Sequence, residues 1–148
     1  MSLANARISL LTLGVEDVAA ATAFYQALGW TKAPQSVEST AFLQGENLVL
    51  ALWRRNDMIA DGGEGDLPKG SGSVSLAINL ASQAGVDAFY ALAIDAGATP
   101  VKPPSKAFWG GYSGNFRDPD FHLWEVACNP FFAMNESGKL ELLAGAGR

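Results

Sequence analysis

Leu11-Thr12-Leu13-Gly14-Val15 is matched 65 positions later by Leu76-Ala77-Ile78-Asn79-Leu80, and Ala23-Phe24-Tyr25 returns at the same offset as Ala88-Phe89-Tyr90. The order of predicted elements repeats with these residues. In the first copy, residues 7–15 read as a strand, Asp17 as the cap of a helix over 18–28, and Gly29 as its stop. A capping carboxylate accepts from the free N–H groups of the first turn, and glycine tolerates the left-handed backbone that ends a helix. Strands over 30–33, 39–43 and 47–53 follow, the last two joined by a turn at Gln44-Gly45-Glu46. In the second copy a strand over 73–80 leads to a helix over 83–95, capped by Ser82 and stopped by Gly97, and then to strands over 99–102, 112–117 and 122–128. A short last helix is expected over 135–143. Each half is βαβββ, and duplication of one unit explains both the shared residues and the shared order.

Residues 61–72 carry Gly62-Gly63-Glu64-Gly65 and Lys69-Gly70-Ser71-Gly72. This spacing fits neither a phosphate loop nor a dinucleotide fingerprint, which would need a strand before it and a helix directly after; it reads as a linker. The expected organisation is one domain over 1–148: a first module at 7–53, a linker at 54–72, a second module at 73–128 and a C-terminal extension at 129–148.

Composition narrows the function. With 148 residues, 49% hydrophobic and 17% charged, the chain can bury a core. Ten Lys and Arg against fifteen Asp and Glu give a net charge of −5, the wrong sign for phosphate backbones or anionic lipid, so neither nucleic acid nor a membrane is an expected partner. No apolar run approaches the roughly 20 residues of a spanning helix. Met1-Ser2-Leu3 lacks the basic region and apolar core of a signal peptide. The lone Cys128 allows no internal disulfide, and a cytoplasmic location is expected. His122 is the only histidine, so no site in one chain can use two.

On the second leading strand Val74, Leu76, Ile78 and Leu80 alternate with Ser73, Ser75, Ala77 and Asn79. The apolar set is expected to pack under the helix, while the small polar set leaves room for a ligand. Asp118-Pro119-Asp120 reads as a hairpin turn, which puts His122 at a strand start, a position usually near the surface. Glu125 sits among Leu123, Trp124, Val126 and Ala127, where a carboxylate either faces solvent or serves a pocket. Trp109 and Tyr112 bracket two glycines in a loop and are candidate ligand contacts. Trp53 and Trp124 suit a pocket or the core equally.

Taken together, the paired βαβββ halves, Val15-Glu16-Asp17, Phe24-Tyr25-Gln26-Ala27-Leu28-Gly29-Trp30 and Phe116-Arg117-Asp118-Pro119-Asp120-Phe121-His122-Leu123-Trp124-Glu125-Val126 make the chain resemble the glyoxalase/bleomycin-resistance/extradiol-dioxygenase superfamily over about residues 7–127. The resemblance implies an α+β fold in which the two fused modules form a half-open barrel around a cavity, and it implies a homodimer. The superfamily's turn usually reads Asp-Pro-Asp-Gly, and Phe121 stands in the glycine's place.

Metal-dependent members carry His, Gln or Glu on the first and last strands of each half. Those positions fall here on Leu10, Leu50, Ser75 and Glu125, of which only Glu125 is a good ligand, so no metal or other cofactor is expected and glyoxalase I or ring-cleaving chemistry is disfavoured. If these four face inward, so do Ile8, Thr12, Leu48, Leu52, Ser73, Ala77 and Leu123. The expected ligand-binding set is Leu10, Thr12, Leu50, Ser75, Trp109, Tyr112 and Glu125. The first functional reading is a metal-free protein that sequesters a small molecule. A second is a lyase or isomerase in which the catalytic Glu125 moves a proton beside a carbonyl held by Ser75, Thr12 or Tyr112. A third is a structural or partner-binding subunit.

Overall fold

The computed structural model describes residues 7–62 and 72–143. Met1-Ser2-Leu3, the linker glycines Gly63, Gly65 and Gly70, and the end of the C-terminal extension from residue 144 onward lie outside the described residues. The chain divides into two compact units, Met1–Asp66 and Leu67–Arg148. Each contains a four-stranded mixed sheet built in the order β, α, β, β, β, so the class is α+β.

The first unit holds β1 (Leu10–Val15), α1 (Val18–Ala27), β2 (Thr31–Lys32), β3 (Thr40–Gln44) and β4 (Val49–Arg54), arranged β1-β4-β3-β2 with β1 parallel to β4. Asp17 caps α1 as expected: its Oδ1 accepts from Ala20 N at 3.0 Å. Gly29 follows the helix with φ 107°. Register decides the faces. Leu11 and Leu13 lie beside Leu50 and Leu52 on β4, and these lie beside Leu43 and Ala41 on β3. Side chains in register share a face, and with Phe24 and Tyr25 of α1 these residues form the core, where Leu43, Leu50 and Leu52 are fully buried. The opposite, open face carries Leu10, Thr12 and Gly14, then Val49, Ala51 and Trp53, then Thr40, Phe42 and Gln44.

A further helix, α2 (Arg55–Gly62), runs directly from the end of β4, inside the span expected to be linker. Its side chains reach the open face at β1. A Cβ on Gly14 would lie 3.3 Å from Met58 Sδ and 3.7 Å from Arg55 Cγ. The absent side chain of Gly14 is therefore the space into which this helix packs. Arg54 and Asp57 form an exposed ion pair at 3.4 Å, too well solvated to be worth much.

The second unit holds β5 (Leu76–Asn79), α3 (Gln83–Ala96), β6 (Thr99–Lys106), β7 (Tyr112–Arg117) and β8 (Leu123–Cys128), arranged β5-β8-β7-β6. Ser82 Oγ accepts from Gly85 N at 3.0 Å at the start of α3, and Gly97 ends it with φ 117°. Val86, Tyr90 and Ala93 of α3 are buried, as are Phe116, Trp124 and Val126 on the facing side of the sheet. The Phe116 and Trp124 rings stack at 6.4 Å, and Tyr90 meets Phe116 edge-on at 6.2 Å.

The outer strand β6 runs four residues beyond its expected end. Pro100, Pro103 and Pro104 lack N–H donors, which an edge strand tolerates, and the β6–β7 register slips between Pro100 and Ser105. Gly114 lets it approach: a Cβ there would be 2.9 Å from Pro104 N. Neither sheet closes on itself, since each ends in edge strands.

No helix forms over 135–143. Asn135 Oδ1 instead accepts from Ser137 N, Ser137 Oγ and Lys139 N at 2.9–3.0 Å, closing a loop with Gly138 at φ 84° and Met134 bridged to Leu140. A short amide side chain that bonds its own backbone competes directly with helix. Among the described residues no helix is long and apolar enough to cross a membrane.

Candidate functional site

The open face of the second sheet gathers the polar side chains. Glu125 on β8 lies beside Ala77 on β5 and, across the other edge, beside Asn115 on β7, which lies in turn beside Lys102 on β6. One step along, Ala127 is flanked by Asn79 and Ser113. Directly opposed cross-strand residues have Cβ atoms about 4.5–5.5 Å apart, so Glu125 and Asn115 can reach adjacent atoms of one ligand. Glu125 is half-buried and, among the described residues, makes no hydrogen bond or ion pair. Asn115 Nδ2 makes only a long contact of 3.5 Å to Trp124 O, leaving its second N–H and its Oδ1 available. Ser113 is buried on the same face.

The Asp118-Pro119-Asp120 turn fixes the start of β8. Asp118 is almost wholly buried, and its Oδ1 accepts from Asp120 N and His122 N, both at 2.9 Å. Phe121 has φ 69°, a left-handed backbone that costs a side-chain-bearing residue about 1–2 kcal/mol. The phenylalanine is held there by the turn, and Arg117 donates to its carbonyl at 2.9 Å.

Several expected site residues lie elsewhere. Leu50 is in register with Leu11, not with Thr12, and faces α1; Leu52 shares its phase, and Leu48 lies just before β4. The residue of the first sheet equivalent to Glu125 is Ala51, because Thr12 pairs with Ala51 as Ala77 pairs with Glu125. Tyr112 is an odd number of positions from Asn115 and so faces α3, where its hydroxyl donates to Asp87 Oδ1 at 2.7 Å. That hydrogen bond holds the phenol above its ordinary pKa. The Trp109 ring folds over its own loop, filling the position a Cβ of Gly111 would take, while Phe131 covers Gly110. His122 is buried rather than near the surface and precedes Leu123, placing it on the Trp124 side of the sheet. Trp124 is core, and Trp53 is half-buried on the first sheet's open face.

Leu10 and Thr12 lie on the open face of the first sheet and Glu125 on that of the second; Ser75 is exposed and lies one residue before β5. The sequence reading missed Asn115 and Ser113, which alternation along β7 from Arg117 would have found, and Met58, whose approach to Gly14 has no sequence signal.

With Ala51 replacing the expected Leu50, the candidate ligand positions are Leu10 and Ala51 in the first unit and Ser75 and Glu125 in the second. Three or four good donors hold a catalytic divalent ion; the first unit's positions supply none, and the second unit's supply one carboxylate and one hydroxyl. Among the described residues no three His, Cys, Asp or Glu side chains converge. The residues do not fit the metal of the metal-dependent relatives.

A family model described as the Glyoxalase/Bleomycin resistance protein/Dioxygenase superfamily matches residues 7–126. The chain belongs to this superfamily. Among solved structures, it is similar to a glyoxalase-related enzyme from Fulvimarina pelagi, with 28% identity, coverage of 93% of this chain and 98% of that one, and a TM-score of 0.84. It is also similar to a glyoxalase/bleomycin resistance protein/dioxygenase from Nocardioides, with 25% identity, coverage of 86% and 85%, and a TM-score of 0.71. Lactoylglutathione lyase from Agrobacterium tumefaciens, at 22% identity, coverage of 85% and 96%, and a TM-score of 0.66, shares the superfamily fold. No curated protein matches the chain.

Proposed function

We propose that this superfamily member is a metal-free small-molecule-binding protein that sequesters its ligand unchanged, in the cytoplasm and as a homodimer. The observation that carries the reading is the donor set: three of the four ligand positions hold Leu10, Ala51 and Ser75, while the open face around Glu125 retains polar side chains with capacity to spare. Neither Ala51 nor Leu50 can ligate, so the donor count is the same with either side chain. Binding at the open face of the second sheet would use Glu125; Leu10 and Thr12 occupy the open face of the first sheet. Affinity selection tests it. The protein is incubated with a mixed compound set, separated from free compounds by gel filtration and denatured, and the released molecule is identified. The expected result is near-stoichiometric recovery of an unaltered compound; consistent recovery of a transformed product would count against sequestration.

A second reading is favoured by the half-buried carboxylate of Glu125, which has no partner among the described residues. Such a group can move a proton next to a substrate carbonyl, as a lyase or isomerase requires. Turnover on panels of α-oxo aldehydes and epoxides that disappears in Glu125→Gln would establish it, and equal activity of the two proteins would remove Glu125 as the base.

A further inference from the structure

We propose that Asn115 and Glu125 form a paired recognition element for a ligand that carries an N–H directly beside a carbonyl, as a cyclic amide does. The inference rests on the reading of this face as a small-molecule site and specifies what that site recognises.

Asn115 and Glu125 are directly opposed on β7 and β8, so their side chains leave the sheet on the same face as nearest neighbours. An ionised carboxylate only accepts hydrogen bonds; an asparagine amide has two donors and an acceptor. With one Asn115 N–H directed at Trp124 O at 3.5 Å, the other is not taken up by any described residue. The pair therefore presents an acceptor and a donor side by side, the complement of an amide edge in which N–H and C=O point the same way. Ring closure fixes an amide in that arrangement, whereas an open-chain trans amide points the two groups in opposite directions. Ala77, on the far side of Glu125, has no side-chain donor to compete for the carboxylate. Ser113, two residues from Asn115 along β7, offers a hydroxyl beyond the pair. The second N–H of Asn115 and the carboxylate would each lose water on binding, so a ligand lacking either complement leaves a polar group unsatisfied and is discriminated against.

The test uses the full chain and three ring compounds of nearly equal size: δ-valerolactam, its N-methyl derivative and δ-valerolactone. Each is titrated into isotope-labelled protein, with the Asn115 side-chain NH2 and the backbone amides of Ser113, Asn115 and Glu125 followed by NMR. The expected result is a saturable shift at these four sites with the lactam, and binding weaker by about tenfold or more for the other two, each of which lacks the N–H. Asn115→Ala is expected to weaken lactam binding by a similar factor. Equal binding of lactam and N-methyl lactam, or no shift at these sites with any compound, overturns the proposal. The three-compound comparison needs no variant and survives if Asn115→Ala does not fold. The binding reading itself is judged by affinity selection, so an unaltered compound recovered there alongside a negative result here rejects the amide specificity alone.

Discussion

Truncating Leu50 and Leu10 separately distinguishes the two faces of the first sheet. Leu50 is fully buried between Leu11 and Leu43 against α1, whereas Leu10 is 43% exposed at the start of an edge strand. A buried Leu→Ala change costs about 2–5 kcal/mol, lost transfer energy plus a cavity. Full burial of a leucine is worth about 1.5–3 kcal/mol, so removing the partly covered Leu10 side chain costs about 1–1.5 kcal/mol at most. With a urea slope of roughly 2 kcal/mol per molar, Leu50→Ala should lower the midpoint by roughly 1–2.5 M and Leu10→Ala by roughly 0.5 M. Tryptophan fluorescence follows the unfolding, and amide exchange in β4 and α1 locates the loss. Equal midpoints, or a larger loss for Leu10→Ala, would refute the assigned register and return Leu50 to the ligand-facing side.

Two further changes test the second unit. Asp118→Ala removes the acceptor of Asp120 N and His122 N and is expected to cost about 1–3 kcal/mol for each amide it orphans, with a smaller loss for Asp118→Asn, which keeps an oxygen; chemical denaturation of both variants checks the difference. The Tyr90 phenol is raised in pKa by burial, against a smaller lowering contribution at Val101, and donates to Asn115 O at 3.0 Å. Its folded value lies above the unfolded one, so the stability it contributes is complete below about pH 10 and lost as pH rises through the folded value. Tyr90→Phe should cost about 0.5–1.5 kcal/mol at neutral pH and flatten the alkaline decline in a melting series; an unchanged decline would assign it to other groups.

The halves were legible because their signals are local. Asp17 and Ser82 stand just before alanine-rich apolar periodicity, Gly29 and Gly97 just after it, and all four do in the structure what those positions require. Phase was harder. Leu48-Val49-Leu50-Ala51-Leu52-Trp53 is apolar on both faces, so nothing in it fixes which residues point outward, and only pairing with β1 does so. On β8 the single carboxylate among apolar neighbours marks the open face unaided. Aromatic character suggests contact with a ligand for Tyr112 and Trp109, and the sequence gives no sign that Asp87 on α3 and the bare backbone of Gly111 engage them. Asn135 misled through its helical setting, because a side-chain oxygen that organises three donors stabilises a loop just as readily.

Native mass spectrometry of protein purified without chelator tests whether Glu125 belongs to a metal-free ligand site. The expected result is a chain mass free of bound transition metal, with any excess mass belonging to an organic compound that is weakened or lost in Glu125→Gln. One tightly held transition metal per chain, released only by chelation, would contradict it.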